Sequence, residues 1–131
     1  MKVIAAKNIG FCFGVERAIE IARKEVEDGG TVYTYGELIH NLTVIDELRA
    51  EGIIPAETLE EIPAGSNVII RSHGVAPQEI KKCREFGLYA VDATCPFVKR
   101  IHNIVEKHSD EGYSVVIFGE SRHPEVKGIQ G

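Results

Sequence analysis

The sequence lacks any long run of lysine and arginine, and it also lacks any long apolar run. Its 131 residues include 15 basic and 20 acidic side chains, which gives a net charge of −5. An acidic chain without basic clusters argues against nucleic acid or a membrane surface as partner, but it permits a small anionic ligand. No segment approaches the length of a membrane span, and residues 1–10 lack the apolar centre of a signal peptide. We therefore expect a cytoplasmic protein.

Cysteine is scarce, and the closely spaced cysteine pairs of zinc fingers are absent. The three cysteines are Cys12, Cys83 and Cys95. An odd number without close pairing favours thiols in a reducing compartment over a disulfide framework. Cys12 and Cys95 are so far apart in sequence that only the fold can bring them together.

Short strand patterns alternate along the chain with amphipathic helical patterns. Hydrophobic residues make up 44% of the sequence, which suits one globular core. We predict strands at residues 2–6, 31–35, 67–71, 88–91 and 113–118. Residues 53–66, which contain two prolines, are interpreted as a connecting loop with one helical turn near residues 58–61. The βαβαβαβαβ order predicts an α/β fold with a mostly parallel sheet and flanking helices.

The chain is organised around the segment at residues 88–97. Pro96 fits the first position of a helix, so Cys95 is predicted at a helix N-terminus. An anion is favoured there, which makes Cys95 a candidate metal ligand or nucleophile; a small buried residue in a turn is the alternative. The following helix is predicted to bury an apolar stripe, formed by Val98, Ile101, Ile104 and Val105.

Polar side chains are predicted at every strand-to-helix junction. The candidates are Cys12, His40, His73, Cys95, and His123 with Glu125. Ligands of parallel α/β sheets bind beyond the carboxyl ends of the strands, so we expect these side chains to converge at one edge. Thiolates suit zinc or an iron–sulfur cluster, histidines suit a metal or a phosphate, and Glu125 is a candidate acid. Cys83, His102 and His108 lie within helices and are interpreted as packed or solvated residues.

Five motifs in this order resemble those of the 4-hydroxy-3-methylbut-2-enyl diphosphate reductase family, which completes the methylerythritol phosphate route to isoprenoids. The motifs are GFCFGV at 10–15, GELIHN at 36–41, RSHGV at 71–75, DATCP at 92–96 and HPEVKGIQG at 123–131. The resemblance implies three α/β lobes around a [4Fe–4S] cluster held by three cysteines. It also implies that residues 1–96 form the first lobe and that residues 97–131 begin the second.

The same resemblance assigns roles to the individual side chains. Cys12 and Cys95 match two of the cluster ligands. His40 and His73 match histidines that line the diphosphate pocket, and His123 matches a further histidine beside the substrate.

Glu125 matches the carboxylate that delivers protons for loss of the substrate hydroxyl as water. The implied products are isopentenyl and dimethylallyl diphosphate, and the implied electron donor is a protein such as ferredoxin or flavodoxin.

The chain departs from the family pattern in three respects. Ser72 stands where family members often have alanine, and Arg122 stands where they often have glycine. The third cluster cysteine has no counterpart here, and Cys83 is a poor substitute because of its predicted mid-helix position. We therefore expect an N-terminal piece of the reductase that is inactive alone. The alternatives are a non-catalytic diphosphate-binding fragment and a zinc-dependent hydrolase that uses Cys12, Cys95 and a histidine.

Overall fold

The computed structural model describes residues 1–7 and 9–131. Within these residues the chain forms a four-stranded parallel sheet flanked by helices, so the predicted α/β class is confirmed. The elements are α1 (Phe13–Gly29), β1 (Val32–Tyr35), α2 (Leu42–Ala50), β2 (Ile53–Ala56), a 3₁₀-helix (Leu59–Glu61), β3 (Asn67–Ile70), α3 (Pro77–Glu85), β4 (Tyr89–Asp92), α4 (Pro96–Asp110) and α5 (Pro124–Gln130). None of the described helices is long and apolar enough to cross a membrane.

The strand order β2-β1-β3-β4 places a topological switch point between β1 and β3. The chain crosses from β1 to β2 on one side and then returns past β1 to β3 on the other. In register, Tyr33 of β1 pairs with Ile54 of β2 and with Val68 of β3. Such a reversal opens a crevice at the carboxyl ends of the two central strands, where ligands of parallel sheets bind.

Different helices bury the two faces of the sheet. Successive side chains of a strand point to opposite faces, so Ile69 of β3 joins one apolar cluster while Val68 and Ile70 join the other. The first cluster is completed mainly by α1 and α2, and the second includes Cys83 of α3. Helices therefore cover both faces of the sheet, which is the usual arrangement for a parallel sheet.

Strand β2 lies in a segment that the sequence predicts to be a loop. Pro55 sits inside this strand, opposite Thr34 of β1. The prediction was wrong because proline is tolerated on an edge strand, where its nitrogen needs no ladder partner, and among the described strands β2 pairs only with β1. The helical turn predicted near residues 58–61 is confirmed by the 3₁₀-helix.

The strands predicted at residues 2–6 and 113–118 are absent from the described structure. Both segments are exposed, with Val3 at 80% and Val116 at 89% of full exposure. The predictions failed because a strand takes its hydrogen bonds from a neighbouring strand, and neither segment has one among the described residues.

The apolar stripe of α4 is also largely exposed. No residue of this helix is fully buried: Ile101 and Ile104 keep 43% and 48% of their surface, and Val98 and Val105 are partly buried. The predicted helix is confirmed, but its predicted burial is wrong, because the described elements cover the stripe only in part. Together with residues 113–118, its exposed side chains form an uncovered apolar surface.

The predicted helix starts are confirmed where a cap or a proline marks them. Asn41 caps α2, since its Oδ1 accepts a 3.3 Å hydrogen bond from the Val44 N–H. Pro77 and Pro96 occupy the first turns of α3 and α4, which fixes the position of the residues just before each helix.

Candidate active site

His40 and His73 lie together at the switch point of the sheet. His40 is in the turn between β1 and α2, and His73 is in the turn between β3 and α3. Their ring centroids are 6.0 Å apart. His40 is exposed, with its Nδ1 3.4 Å from Oε2 of Glu37, whereas His73 is partly buried. The crevice expected from the strand order therefore holds two imidazoles.

His123 brings a third imidazole to the same place. Its ring centroid is 5.8 Å from that of His73, and the two rings meet edge to face. Nδ1 of His123 accepts a 3.3 Å hydrogen bond from the backbone N–H of Glu125 and thereby caps α5. In the neutral ring the proton then resides on Nε2, where it is available for donation to a ligand. We call His40, His73 and His123 the histidine cluster.

The environment of His73 favours its neutral form. Burial lowers the pKa of this imidazole, and the positive potential of Arg71, His123 and His40 lowers it further, while Glu125 opposes them. Nδ1 of His73 is buried and has no hydrogen-bond partner among the described residues. A bound anion would offset both effects, because it favours protonated imidazoles and accepts their hydrogen bonds.

Arg71 is a neighbour of the cluster that the sequence analysis did not single out. A Cβ atom built on Gly36 would lie 2.7 Å from its Nη1, so the guanidinium packs directly over this glycine. Its Nε atom is buried without a hydrogen-bond partner in the described part of the chain. Arg71 also lines a cleft of about 380 Å³, together with Tyr35, Gly74, Glu79 and Lys127. Its position two residues before His73 is the feature of the sequence that could have identified it as a site residue.

The two candidate thiols stand at helix N-termini, as the sequence predicts. Cys12 precedes α1 and is exposed, and Cys95 precedes α4 and is partly buried. Neither side chain makes a capping hydrogen bond. A Cβ atom built on Gly14, two residues after Cys12, would lie 2.8 Å from Sγ of Cys95. The first turn of α1 therefore lies against the Cys95 thiol.

Backbone hydrogen bonds tie the Cys95 turn to the turn that carries His73. The N–H of Cys95 donates to the carbonyl of Ser72 at 2.9 Å. Asp92 at the end of β4 accepts hydrogen bonds from the Thr94 N–H and from Lys99. Burial raises the pKa of Asp92, but these hydrogen bonds outweigh it, so the pKa of the carboxyl is lowered overall. A charged Asp92 thus stabilises the turn that presents Cys95.

The donor set matches an iron–sulfur cluster in kind. Such a cluster takes cysteine thiolates as its soft ligands, and Cys12 and Cys95 stand at helix N-termini that lie against each other. Among the described residues no group of three or more His, Cys, Asp and Glu side chains lies close enough to hold a metal ion. Cys12 and Cys95 therefore suit part of a cluster site, and the described residues do not assemble a zinc site from these cysteines and a histidine.

Cys83 belongs to the core and lies apart from the candidate site. Its side chain is fully buried in α3, within the second apolar cluster. Burial raises the pKa of its thiol, and the nearby charge of Glu79 acts in the same direction. The interpretation of Cys83 as a packed helix residue is confirmed.

His102, for which the sequence predicts a solvated or edge-packed side chain, lies between the turn that carries His73 and helix α5. It is partly buried on α4, and its Nε2 is buried without a hydrogen-bond partner among the described residues. It lies seven residues, or two helical turns, after Cys95, so the helical period could have indicated a shared face. The glycines beside its ring, Gly74 and Gly128, come from segments far apart in the sequence, so no local pattern reveals this contact.

Fold and site together define a doubly wound α/β protein with histidines after its two central strands and cysteines at the N-termini of two helices. A sequence model of the family described as LytB protein matches residues 3–131. The chain belongs to this family. The family expected from the five motifs is thereby confirmed.

Named relatives agree over nearly the whole chain. The 4-hydroxy-3-methylbut-2-enyl diphosphate reductase of Geobacter sp. (strain M21) is 46% identical over 129 residues, which are 98% of this chain and 46% of that protein. The reductase of the same name from Alkaliphilus oremlandii (strain OhILAs) is 49% identical over 135 residues, covering 100% of this chain and 47% of that protein. The chain thus spans slightly less than half the length of these relatives.

Two solved structures share the fold. A structure of (E)-4-hydroxy-3-methyl-but-2-enyl diphosphate reductase, the terminal enzyme of the non-mevalonate pathway, superposes with a TM-score of 0.87 at 43% identity, over 98% of this chain and 46% of that chain. The structure of the E-1-hydroxy-2-methyl-but-2-enyl-4-diphosphate reductase from Plasmodium falciparum superposes with a TM-score of 0.89 at 34% identity. The match covers 94% of this chain and 39% of that chain.

Proposed function

We propose that the protein carrying this chain reduces 4-hydroxy-3-methylbut-2-enyl diphosphate to isopentenyl and dimethylallyl diphosphate. The observation that carries the proposal is the histidine cluster at the switch point, in a chain whose relatives bear the name of this reductase. The proposed substrate combines a diphosphate with an allylic hydroxyl, so the site must bind an anion and protonate a departing oxygen.

The histidine cluster is the proposed diphosphate site. The rings of His40 and His123 each lie within about 6 Å of the His73 ring, so three imidazoles can direct N–H donors at one anion. The proton on Nε2 of His123 is available for such a bond, because its Nδ1 is engaged by the backbone of Glu125. Burial, and then the positive potential of Arg71, His123 and His40, lower the pKa of His73, and a bound diphosphate would oppose both causes by supplying negative charge.

Glu125 is the proposed proton donor. It stands in the first turn of α5, two residues after His123, and its charge acts on both His73 and His102. Reductive loss of the hydroxyl consumes two electrons and two protons and releases one water. Glu125 in its acid form would protonate the leaving oxygen, and His123 beside it would hold the substrate in position.

Cys12 and Cys95 are the proposed ligands of a [4Fe–4S] cluster, with a further thiolate that these 131 residues do not supply. When bound, such a cluster supplies electrons and a Lewis-acidic iron for the departing oxygen. The proposed electron donor is a small protein such as ferredoxin or flavodoxin. The uncovered surface of α4 and residues 113–118 supports a second lobe that begins after residue 96.

Elemental analysis of the complete protein, purified without oxygen, tests the cofactor and separates the alternatives. We expect iron with acid-labile sulfide, and we expect Cys12→Ser and Cys95→Ser each to lower the iron content strongly. Cys83→Ser is the matched control, because Cys83 is buried in the core away from the site. Zinc in place of iron would support a hydrolase and contradict the proposal. The absence of both metals would favour a non-catalytic diphosphate-binding protein.

A further inference from the structure

The ring of His102 occupies a slot between two glycines from different segments. A Cβ atom built on Gly74 would lie 3.0 Å from Cε1 and 3.3 Å from Nε2 of this ring. A Cβ atom built on Gly128 would lie 3.3 Å from Cε1 as well. Contacts this short are tighter than most Cβ contacts in proteins, so a side chain at either position would have to push the ring aside by a few tenths of an ångström. The tip of the His102 ring therefore packs closely against both backbones.

Both glycines adjoin proposed active-site residues. Gly74 follows His73 directly, and Gly128 stands one helical turn after Glu125 on α5. A Cβ atom on Gly128 would also lie 3.3 Å from the carbonyl oxygen of Gly74, so the two segments touch each other beside the ring. His102 is thus a side chain of α4 that meets both the His73 turn and the helix that carries Glu125.

Gly128 contributes the most deeply buried contact of helix α5. It is the only fully buried residue of the seven, while Pro124, Glu125, Val126 and Ile129 are partly buried. The His73 turn, in contrast, has its own support, because the Gly74 N–H donates to the Arg71 carbonyl and the Cys95 N–H donates to the Ser72 carbonyl. Loss of the His102 ring should therefore displace α5 more than the turn.

We propose that His102 is a positioning residue, which sets the place of Glu125 relative to His73 by filling the slot between Gly74 and Gly128. The proposal rests on the proposed function, since it concerns the presentation of the proton donor in that reaction. Nε2 of His102 has no hydrogen-bond partner among the described residues. We therefore assign the positioning role to the length and shape of the side chain rather than to a hydrogen bond.

Substitution of His102 by glutamine or by asparagine separates the effect of side-chain length from the loss of the imidazole. The atoms that touch the glycines are Cε1 and Nε2, at the far end of the ring. The terminal amide of glutamine extends to that position, while the amide of asparagine is one methylene shorter. In the complete protein we expect His102→Asn to lower kcat by roughly tenfold or more with a smaller change in KM, and His102→Gln to stay within about threefold of the parent.

His108 provides the matched control on the same helix. It is exposed and contacts Glu111 and Tyr113 rather than either glycine. His108→Asn and His108→Gln should leave kcat and KM unchanged. Equal kcat values for His102→Asn and His102→Gln would overturn the positioning role, because reach would then be irrelevant.

Hydrogen exchange tests the contact between His102 and α5 in the absence of substrate. Backbone amides of residues 124–130 should exchange faster in His102→Asn than in the parent and in His102→Gln. Unchanged exchange would overturn the proposal whether or not the protein is a reductase. A parent protein without reductase activity would instead defeat the proposed function, and exchange would still decide whether His102 holds α5.

Gly128→Ala approaches the slot from the other side and covers the case in which His102→Asn does not fold. The added methyl group would press on the His102 ring and on the Gly74 carbonyl, so kcat should fall by a comparable factor. Where both single variants fold, their effects on kcat should be non-additive, since both act on one contact. Full kcat in Gly128→Ala would contradict the proposal.

Discussion

Gly14 lies so close to Cys95 that a Cβ atom on the glycine would come within 2.8 Å of the Cys95 Sγ and 3.0 Å of its Cβ. These two residues belong to motifs from opposite parts of the chain, and their contact brings the N-termini of α1 and α4 together. The absence of a side chain at position 14 is therefore a condition for placing Cys95 where it is.

The first prediction follows from this contact. Gly14→Ala should force the two helix N-termini apart, lower the free energy of unfolding by about 1–3 kcal/mol, and reduce the iron bound after reconstitution. Gly29→Ala is the control on the same helix, because a Cβ atom there meets nothing within 4 Å. Urea unfolding and iron analysis of both variants provide the measurement. Normal iron content in Gly14→Ala would mean that this spacing is unimportant for the thiols.

The second prediction concerns the pH dependence of stability. The pKa of His73 is lowered from its ordinary value of 6.5, chiefly by burial and then by neighbouring positive potential. As the pH falls below 6.5, the unfolded chain takes up this proton before the folded one, so the contribution of His73 to stability is progressively lost. The free energy of unfolding should therefore fall less steeply with acidification in His73→Gln than in the parent. Equal slopes from urea titrations would remove His73 from the effect.

The sequence could predict those parts of the site that follow directly from a strand and the turn after it. His40 and His73 follow strands with clear apolar patterns, so their place at the sheet edge could be inferred without coordinates. Strand β2 was missed because Pro55 resembles a loop signal. The slot around His102 was out of reach, because it depends on close backbone approach between segments far apart in sequence.

Strands that need partners beyond the described elements were over-predicted. Residues 2–6 and 113–118 have the β-branched composition of strands, yet pairing depends on a neighbour that composition does not supply. The same reason applies to α4. Its periodicity predicts an apolar face, but that face is buried only where another element packs against it.

The third prediction tests Glu125 as the proton donor. Glu125→Gln keeps the size and the hydrogen-bonding capacity of the side chain but removes its transferable proton. Turnover by the complete protein should fall by about a hundredfold or more, while cluster content and diphosphate binding persist. Glu120→Gln, an exposed neighbour outside α5, should be unaffected. Unchanged turnover in Glu125→Gln would exclude this carboxylate from the reaction.

The fourth prediction is that the 131-residue chain alone does not work as a reductase. It supplies two of the proposed cluster thiolates, and it leaves apolar side chains such as Val116 and Phe118 exposed. After anaerobic reconstitution with iron and sulfide, we expect neither a stable visible absorbance nor substrate-dependent oxidation of a reduced viologen dye. Circular dichroism would check that the helices have formed. A stable and active cluster in this chain would reopen Cys83 as a ligand.

Product analysis of the complete, anaerobically purified protein tests the central claim most directly. Given 4-hydroxy-3-methylbut-2-enyl diphosphate and a one-electron-reduced viologen dye, it should form isopentenyl and dimethylallyl diphosphate, with two dye molecules oxidised per product molecule. Release of phosphate or of a free alcohol without dye oxidation would indicate a hydrolase. That result, or the absence of any product from a protein loaded with iron and sulfide, would contradict the assignment of this site to reductive dehydroxylation.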